Sequence, residues 1–223
     1  MKRRDFQMNI KKEIQKALKE QNFDKVVECF KENKAKTSSY LQLHVFAMTH
    51  DITRWKAIEY LGQLAGLYYK EEHDLFRDII RRFTWQMCEE GGNVPWASPE
   101  VIGSVIANVE GNAYKEFIGP MFYHTGLNDI CYAGLYWVIP QMMKYHPEKV
   151  EQYLPDTYEW FDKYDMADMR GYAAIYFEQY PHQEVKPYLE QWLDDERRAV
   201  LYVDGTVQEL KVSDLAKKAL EKY

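Results

Sequence analysis

The chain of 223 residues is long enough for one large domain or a short array of repeats, and 46% of it is hydrophobic. Its net charge is -6, but residues 1–36 carry eleven basic and six acidic side chains, which leaves a balance of -11 on the remainder. An acidic body argues against a protein that follows nucleic-acid phosphates. No apolar run of about 18 residues indicates a membrane span.

The first elements are predicted to be helices, because apolar residues recur at three- and four-residue steps. A helix is expected from about Asp5 to Lys19, and a short helix around Val26–Phe30 follows it. The run Thr37–Ser39 offers N-caps for the next helix, and Asp51 offers one for a helix through Tyr69.

A further helix is expected over His73–Glu90, followed by a long loop at residues 89–100. In that loop Ser98 is a good N-cap and Pro99 a good first residue for the next helix, which ends near Val109. Residues 113–123 are expected to pair with it as a helical hairpin.

A six-residue phrase then occurs twice, as Tyr132–Trp137 and again, forty residues later, as Tyr172–Phe177. Each position keeps its class: aromatic, small, small, aliphatic, aromatic, aromatic. A period near forty in helical sequence is typical of stacked helical hairpins of the HEAT or armadillo kind, which have about 40–47 residues per unit. Short helices are expected over residues 148–163, between the two copies.

In the C-terminal tail the spacing of apolar residues changes from the three- and four-residue steps of a helix to the alternation of a strand. Residues 199–203 and 206–210 are rich in β-branched and aromatic types, and Asp204-Gly205 between them predicts a two-residue hairpin turn. A last helix is expected from Ser213 or Asp214 to Leu220. A lone hairpin is marginal in water, so we expect it to pack as a cap on the last repeat.

The segments TRWKAIEYLGQLAG, SPEVIGSVIANVEG, DICYAGLYWVIPQM and DMRGYAAIYFEQYP place small residues at corresponding positions of successive helices. In this they resemble bacterial HEAT-repeat proteins without an assigned activity, across about residues 37–198. The resemblance implies an all-α, right-handed superhelix of four or five helical pairs. The chain would form one domain, with a basic N-terminal hairpin at 1–36, repeats at 37–198 and a β-hairpin plus capping helix at 199–223.

The best candidate site is the loop at residues 89–100, whose glycine pair allows close backbone approach. Its carboxylates and indoles suit a cation or a basic peptide, and a buried carboxylate there would suit general acid catalysis. The alternative is an inter-repeat loop whose residues only cap and plug the helices. The residues of interest in or beside the loop are Trp85, Glu89, Glu90, Trp96 and Glu100.

Two further features are candidates for recognition. Tyr136 and Trp137 lie in the duplicated phrase, where they form either an aromatic concave surface or a packed seam between repeats. Asp168 and Arg170 match the Asp and Arg at the start of a HEAT second helix, which favours a structural ladder; an anion-binding Arg170 is the alternative.

Metal and cofactor sites are not predicted. The six histidines lack HExxH or HxH spacing, and the three cysteines lack CxxC spacing. Cys88 precedes two glutamates, which would raise its pKa and make it a poor nucleophile. Reduced thiols and a charged N-terminus without an apolar stretch predict a cytoplasmic protein.

Three functions remain open at this stage. The leading prediction is a non-enzymatic module that binds a protein or peptide, possibly basic, on its concave face and the 89–100 loop. The second is a DNA-binding enzyme, because the chain also resembles DNA-alkylation-repeat glycosylases, with Trp137 and Arg170 in a concave groove. The third is a small-molecule enzyme at the Glu-Glu-Gly-Gly loop.

Overall fold

A computed structural model describes residues 2–88 and 96–223, with side chains described from Ile10 onward, and these residues are mostly helical. The α-helices are α1 Lys2–Lys19, α2 Phe23–Glu32, α3 Lys34–His44, α4 Ile52–Tyr68, α5 His73–Gln86, α6 Ser98–Ala107, α7 Ile118–Gly126, α8 Tyr132–Met142, α9 Pro147–Tyr153, α10 Trp160–Lys163, α11 Ala167–Gln179, α12 Lys186–Gln191 and α13 Val212–Leu220. Strands β1 Arg198–Val203 and β2 Thr206–Lys211 form an antiparallel pair. The predicted all-α fold with a C-terminal hairpin is confirmed at this level.

The helices pack in a row in which alternate elements are neighbours. Helix α4 packs on α6, α6 on α8, α8 on α11 and α11 on α13, while α5, α7, α9 and α12 contact the flanks of this row. The helices α8 and α11, which carry the duplicated phrase, are therefore adjacent in space. At the N-terminal end, α1, α2 and α3 pack on one another and on α4.

Small residues allow the row to pack closely, as the sequence predicts. A Cβ atom added at Gly62 of α4 would lie 2.3 Å from the Oγ of Ser104 in α6. Every residue of α6 is buried, because the helix is enclosed by α4, α5, α7 and α8. The apolar composition of α6 fits this position.

Two predicted helix starts are wrong, and one is confirmed. The N-cap of α3 is Asn33, whose side chain accepts the amide of Lys36, so Thr37 and Ser38 lie buried within the helix. Ala97 precedes α6, and the hydroxyl of Ser98 caps no amide. Asp51 does cap α4, since its carboxylate accepts the amide of Thr53 at 2.9 Å.

The C-terminal hairpin forms as predicted. Val203 pairs with Thr206, and both turn residues have positive φ, 50° at Asp204 and 78° at Gly205, as a type I′ turn requires. The hairpin contacts more of the protein than a cap on the last repeat would. Strand β1 packs along α11, and Tyr202 reaches the aromatic residues of α8 and α4.

Candidate functional site

Strand β1 of the hairpin packs on α11 and covers Trp137 of α8, one of the residues predicted to line a binding groove. The Tyr202 ring stacks on Trp55 of α4, with centroids 5.0 Å apart and planes inclined by 5°. The outward edge of β1 bonds to helix side chains: Asp168 accepts the amide of Val200 at 2.8 Å, and the Tyr172 hydroxyl accepts that of Tyr202 at 2.6 Å. The chain therefore fills this surface with its own strand.

Tyr136 and Trp137 consequently lie in the core and not on an open groove. Tyr136 is 0% exposed, its hydroxyl is 2.6 Å from that of Thr157, and its ring packs against Phe177. Trp137 is buried, and its indole N–H donates to the carbonyl of Tyr202 at 3.2 Å. Of the two sequence alternatives, the packed seam is the one that the structure bears out, and a surface partner does not reach these rings.

Glu100 is also buried, in an ion pair that sequence reasoning missed. Its Oε1 accepts from Nη2 of Arg54 at 2.7 Å, and both side chains are almost without solvent contact, at 3% and 2% exposure. Burial raises the pKa of the Glu100 carboxyl, and the Arg54 charge opposes that rise. The expectation that Glu100 contacts a partner directly is thus wrong for the folded chain.

The space for this ion pair comes from a glycine on the next helix. A Cβ atom at Gly134 of α8 would lie 2.2 Å from Oε2 of Glu100. That Oε2 atom, together with Nε and Nη1 of Arg54, has no hydrogen-bond partner in the described part of the chain. Removing either member of such a pair should destabilise the fold strongly, because the remaining buried charge would be uncompensated.

Arg170 takes part in a network of ions at the start of the hairpin. Its Nη1 donates to Asp195 at 2.8 Å and its Nη2 lies 2.9 Å from Asp165, while Arg197 bonds to both carboxylates. The hydrogen bonds from Arg197 and Arg170 hold the pKa of Asp195 well below its usual range, although partial burial opposes the effect. Both terminal nitrogens of Arg170 are paired with carboxylates, although its buried Nε has no partner in the described residues, so Arg170 fits the structural alternative better than an anion site.

The residues of the predicted loop site are only partly described. Glu89 and Glu90 lie outside the described residues. Trp85, on the last turns of α5, is 69% exposed beside Asp78, Arg81 and Arg82, and Trp96 is half-buried before α6. A binding role for these two indoles remains a prediction.

Cys88 lies next to a histidine that the sequence did not connect with it. Its sulfur is 3.2 Å from Nε2 of His124. Burial raises the pKa of the Cys88 thiol and lowers the pKa of His124, so both groups are neutral near pH 7.

Within residues 2–88 and 96–223, no group of three or more His, Cys, Asp or Glu residues is placed to hold a metal ion.

The structure shows an open aromatic groove whose lining includes no residue of the hairpin. This groove, between α7 and the α9–α10 segment, encloses about 330 Å³. Tyr123 of α7 and Leu127, the residue that follows α7, lie at its edge and are 67% and 66% exposed. Its lining residues are Gly119, Phe122, Tyr123, Gly126, Leu127, Tyr153, Asp156, Thr157, Glu159 and Trp160. We call it the outer groove.

The walls of the outer groove are held by packing behind them. The Trp160 ring stacks on Tyr132 of α8, with centroids 4.1 Å apart and planes inclined by 10°. The ring centroids of Phe122 and Tyr153 are 5.6 Å apart. The hydroxyl of Thr157 donates a hydrogen bond to the carbonyl of Leu154. The groove thus has a fixed aromatic floor and two exposed apolar side chains at its rim, an arrangement suited to an apolar anchor residue.

The rim of the outer groove is acidic. Residues 148–163 carry five carboxylates and two lysines, a balance of -3. Asp156 and Glu159 line the groove and are exposed; Glu159 is paired with Lys163 at 2.8 Å, whereas Asp156 makes no ion pair within the described residues. The sequence predicted short helices for this segment, and no site was assigned to its aromatic residues. The number of aromatic residues beside five carboxylates is the sequence feature that could have indicated this site.

Comparisons with protein-family models, with curated proteins and with solved structures gave no match for this chain. In the described residues, no helix is both long enough and apolar enough to cross a membrane. The function must therefore be argued from the geometry of the chain itself.

Proposed function

We propose that the protein is a non-enzymatic module that binds a protein or peptide segment in the outer groove. The segment would place an aromatic or branched apolar anchor between α7 and α10, with lysine or arginine beside it. The observation that carries this proposal is an open groove with an aromatic floor, two exposed apolar residues and a rim of carboxylates. Charge complementarity with such a rim favours basic partners and speeds their association.

The row of alternating helices supports the HEAT-like interpretation, and we propose that it forms a right-handed superhelix. The binding surface would then lie on α7, α9 and α10, and the hairpin contributes no residue to it. A cytoplasmic location is part of the proposal, because all three thiols, at Cys29, Cys88 and Cys131, are free.

The test is direct binding of a defined peptide. A fluorescein-labelled peptide with a central Phe-Leu pair flanked by lysines is titrated with the full chain, and its anisotropy is followed. Leu127→Glu should weaken binding at least about tenfold, which corresponds to about 1.4 kcal/mol, because the apolar rim is lost. Asp156→Lys should weaken binding and reduce its dependence on salt.

Matched variants separate the groove from general surface effects. Leu67 is 57% exposed on α4 and Glu110 is exposed before α7, and neither lines the outer groove. Leu67→Glu and Glu110→Lys should bind like the unaltered chain, and a peptide with glutamates in place of lysines should not bind. Equal binding by Leu127→Glu and Leu67→Glu would refute the proposed site.

A further inference from the structure

A second exposed apolar surface lies near the N-terminal end of the helix row. The groove between α1 and the α3–α4 connection encloses about 640 Å³. Leu43 and Phe46 line it and are 62% and 40% exposed. Lys11 and Lys19 of α1 stand on the same groove. We call these four residues the N-terminal face.

Lysines outnumber carboxylates on this surface, in contrast to the outer groove: Lys11 and Lys19 line it together with Asp51, whose carboxylate is bonded to Thr53. Lys11 and Lys19 make no ion pair within the described residues, and residues 1–36 together carry a balance of +5. The N-terminal face therefore combines apolar anchors with lysines. Those are the features that the outer groove would select, since it offers aromatic walls and carboxylates.

We propose that the N-terminal face of one copy of this chain docks in the outer groove of a second copy. This inference rests on the proposed function, because it names the partner of the same groove. The anchors would be Leu43 and Phe46, and Lys11 or Lys19 would lie opposite Asp156. The contact is heterologous, because it pairs two different surfaces. In a pair of copies, one copy therefore keeps a free N-terminal face and the other keeps a free outer groove.

The geometry of a single copy supports an intermolecular contact. The N-terminal face belongs to α1 and α3, while the outer groove belongs to α7 and α9–α10, with α4, α5 and α6 packed between them. One folded chain does not bring its own two surfaces together. Each surface is therefore open for a second copy, and the assembly continues as a ring or a filament unless one partner surface is blocked.

The test uses two variants that each block one surface. Leu43→Glu introduces a charge on the N-terminal face, and Leu127→Glu introduces one in the outer groove. Sedimentation velocity of the full chain is measured over a range of concentrations at low and high salt. The unaltered chain and the Leu67→Glu control should show concentration-dependent association, which high salt weakens because it screens the lysine–carboxylate attraction.

Each blocked variant alone should sediment as a monomer. An equimolar mixture of the two should form a heterodimer and nothing larger, since only one complementary pair of surfaces remains. A chain that stays monomeric at every concentration, or a mixture that forms no dimer, overturns the inference, as does unchanged association of either variant. If the chain is monomeric but the lysine-flanked peptide still binds, the proposed function stands and only the self-association fails.

Discussion

The backbone amide of Tyr202 donates a 2.6 Å hydrogen bond to the hydroxyl of Tyr172, thirty residues earlier in the chain. This bond takes the place of a neighbouring strand, because the N–H of Tyr202 lies on the edge of β1 away from β2. Together with the bond from Val200 to Asp168, it explains how a two-stranded hairpin is held on a helical protein.

Replacing Tyr172 with Phe should destabilise the chain by about 1–3 kcal/mol, because the buried amide of Tyr202 loses its acceptor. Tyr188→Phe is the matched control: its hydroxyl bonds to Asp162 at an exposed site, and its loss should cost much less. Urea unfolding of both variants gives the free-energy differences. Equal costs would contradict the role assigned to Tyr172.

The buried ion pair should depend on both of its members. Arg54→Met should cost about 3–5 kcal/mol, since Glu100 is left as an uncompensated buried charge. The double variant Arg54→Met with Glu100→Leu should regain much of that loss. Lys163→Met, which breaks an exposed pair with Glu159, should cost less than about 1 kcal/mol. A double variant less stable than Arg54→Met would argue against an uncompensated charge as the cause.

Gly134→Ala tests the close approach of Glu100 to α8. The added Cβ atom would overlap the carboxylate, with Oε2 only 2.2 Å away, so a loss of about 1–3 kcal/mol is expected despite the better helix propensity of Ala. At Gly126 the nearest atom to an added Cβ is 3.5 Å away, and Gly126→Ala should be neutral or stabilising. Thermal unfolding of the two variants distinguishes these outcomes.

The ion network around Asp195 predicts a particular pH dependence. Since its folded pKa lies below the unfolded value of about 3.9, its contribution is complete above that value and is lost as pH falls toward the folded pKa. Asp195→Asn should therefore be less stable than the unaltered chain at neutral pH, and the difference should shrink below about pH 4.

Asp194→Asn is the control for that measurement, because Asp194 is exposed and makes no ion pair within the described residues. Urea unfolding at several pH values gives the comparison. A difference between Asp195→Asn and the unaltered chain that stays constant down to pH 2 would show that the carboxylate charge contributes nothing.

Local signals predicted much of the fold. The Asp204-Gly205 turn could be predicted because only residues that tolerate positive φ suit a two-residue hairpin. Asp51 could be predicted as an N-cap because it directly precedes a segment with helical spacing of its apolar residues. Ser98 misled the prediction, since its hydroxyl lies in the core. Local sequence does not report which side of a helix its neighbours will cover.

The site was predicted less well, for a tertiary reason. Tyr136, Trp137 and Glu100 have the residue types of a binding surface, but all three are buried. Phe177 packs on Tyr136, Tyr202 packs on Trp137, and Gly134 lies against Glu100, and each of these neighbours is at least 30 residues away in the chain. Arg54 was missed because one arginine near a helix start gives no indication of a partner 46 residues away. The outer groove lies between α7 and the α9–α10 segment, and no local spacing connects those two parts of the chain.

The most direct test of the central claim is an NMR titration of the isotope-labelled full chain with the lysine-flanked Phe-Leu peptide. The account predicts that shifted amides cluster in two ranges, 118–127 and 153–160, with little change at Trp55 or Trp137 under the hairpin. Shifts centred on Trp55, Trp137 and residues 199–203 would instead place binding on the inner side of the row. That result, or the absence of any shift, would contradict the outer groove as the binding site.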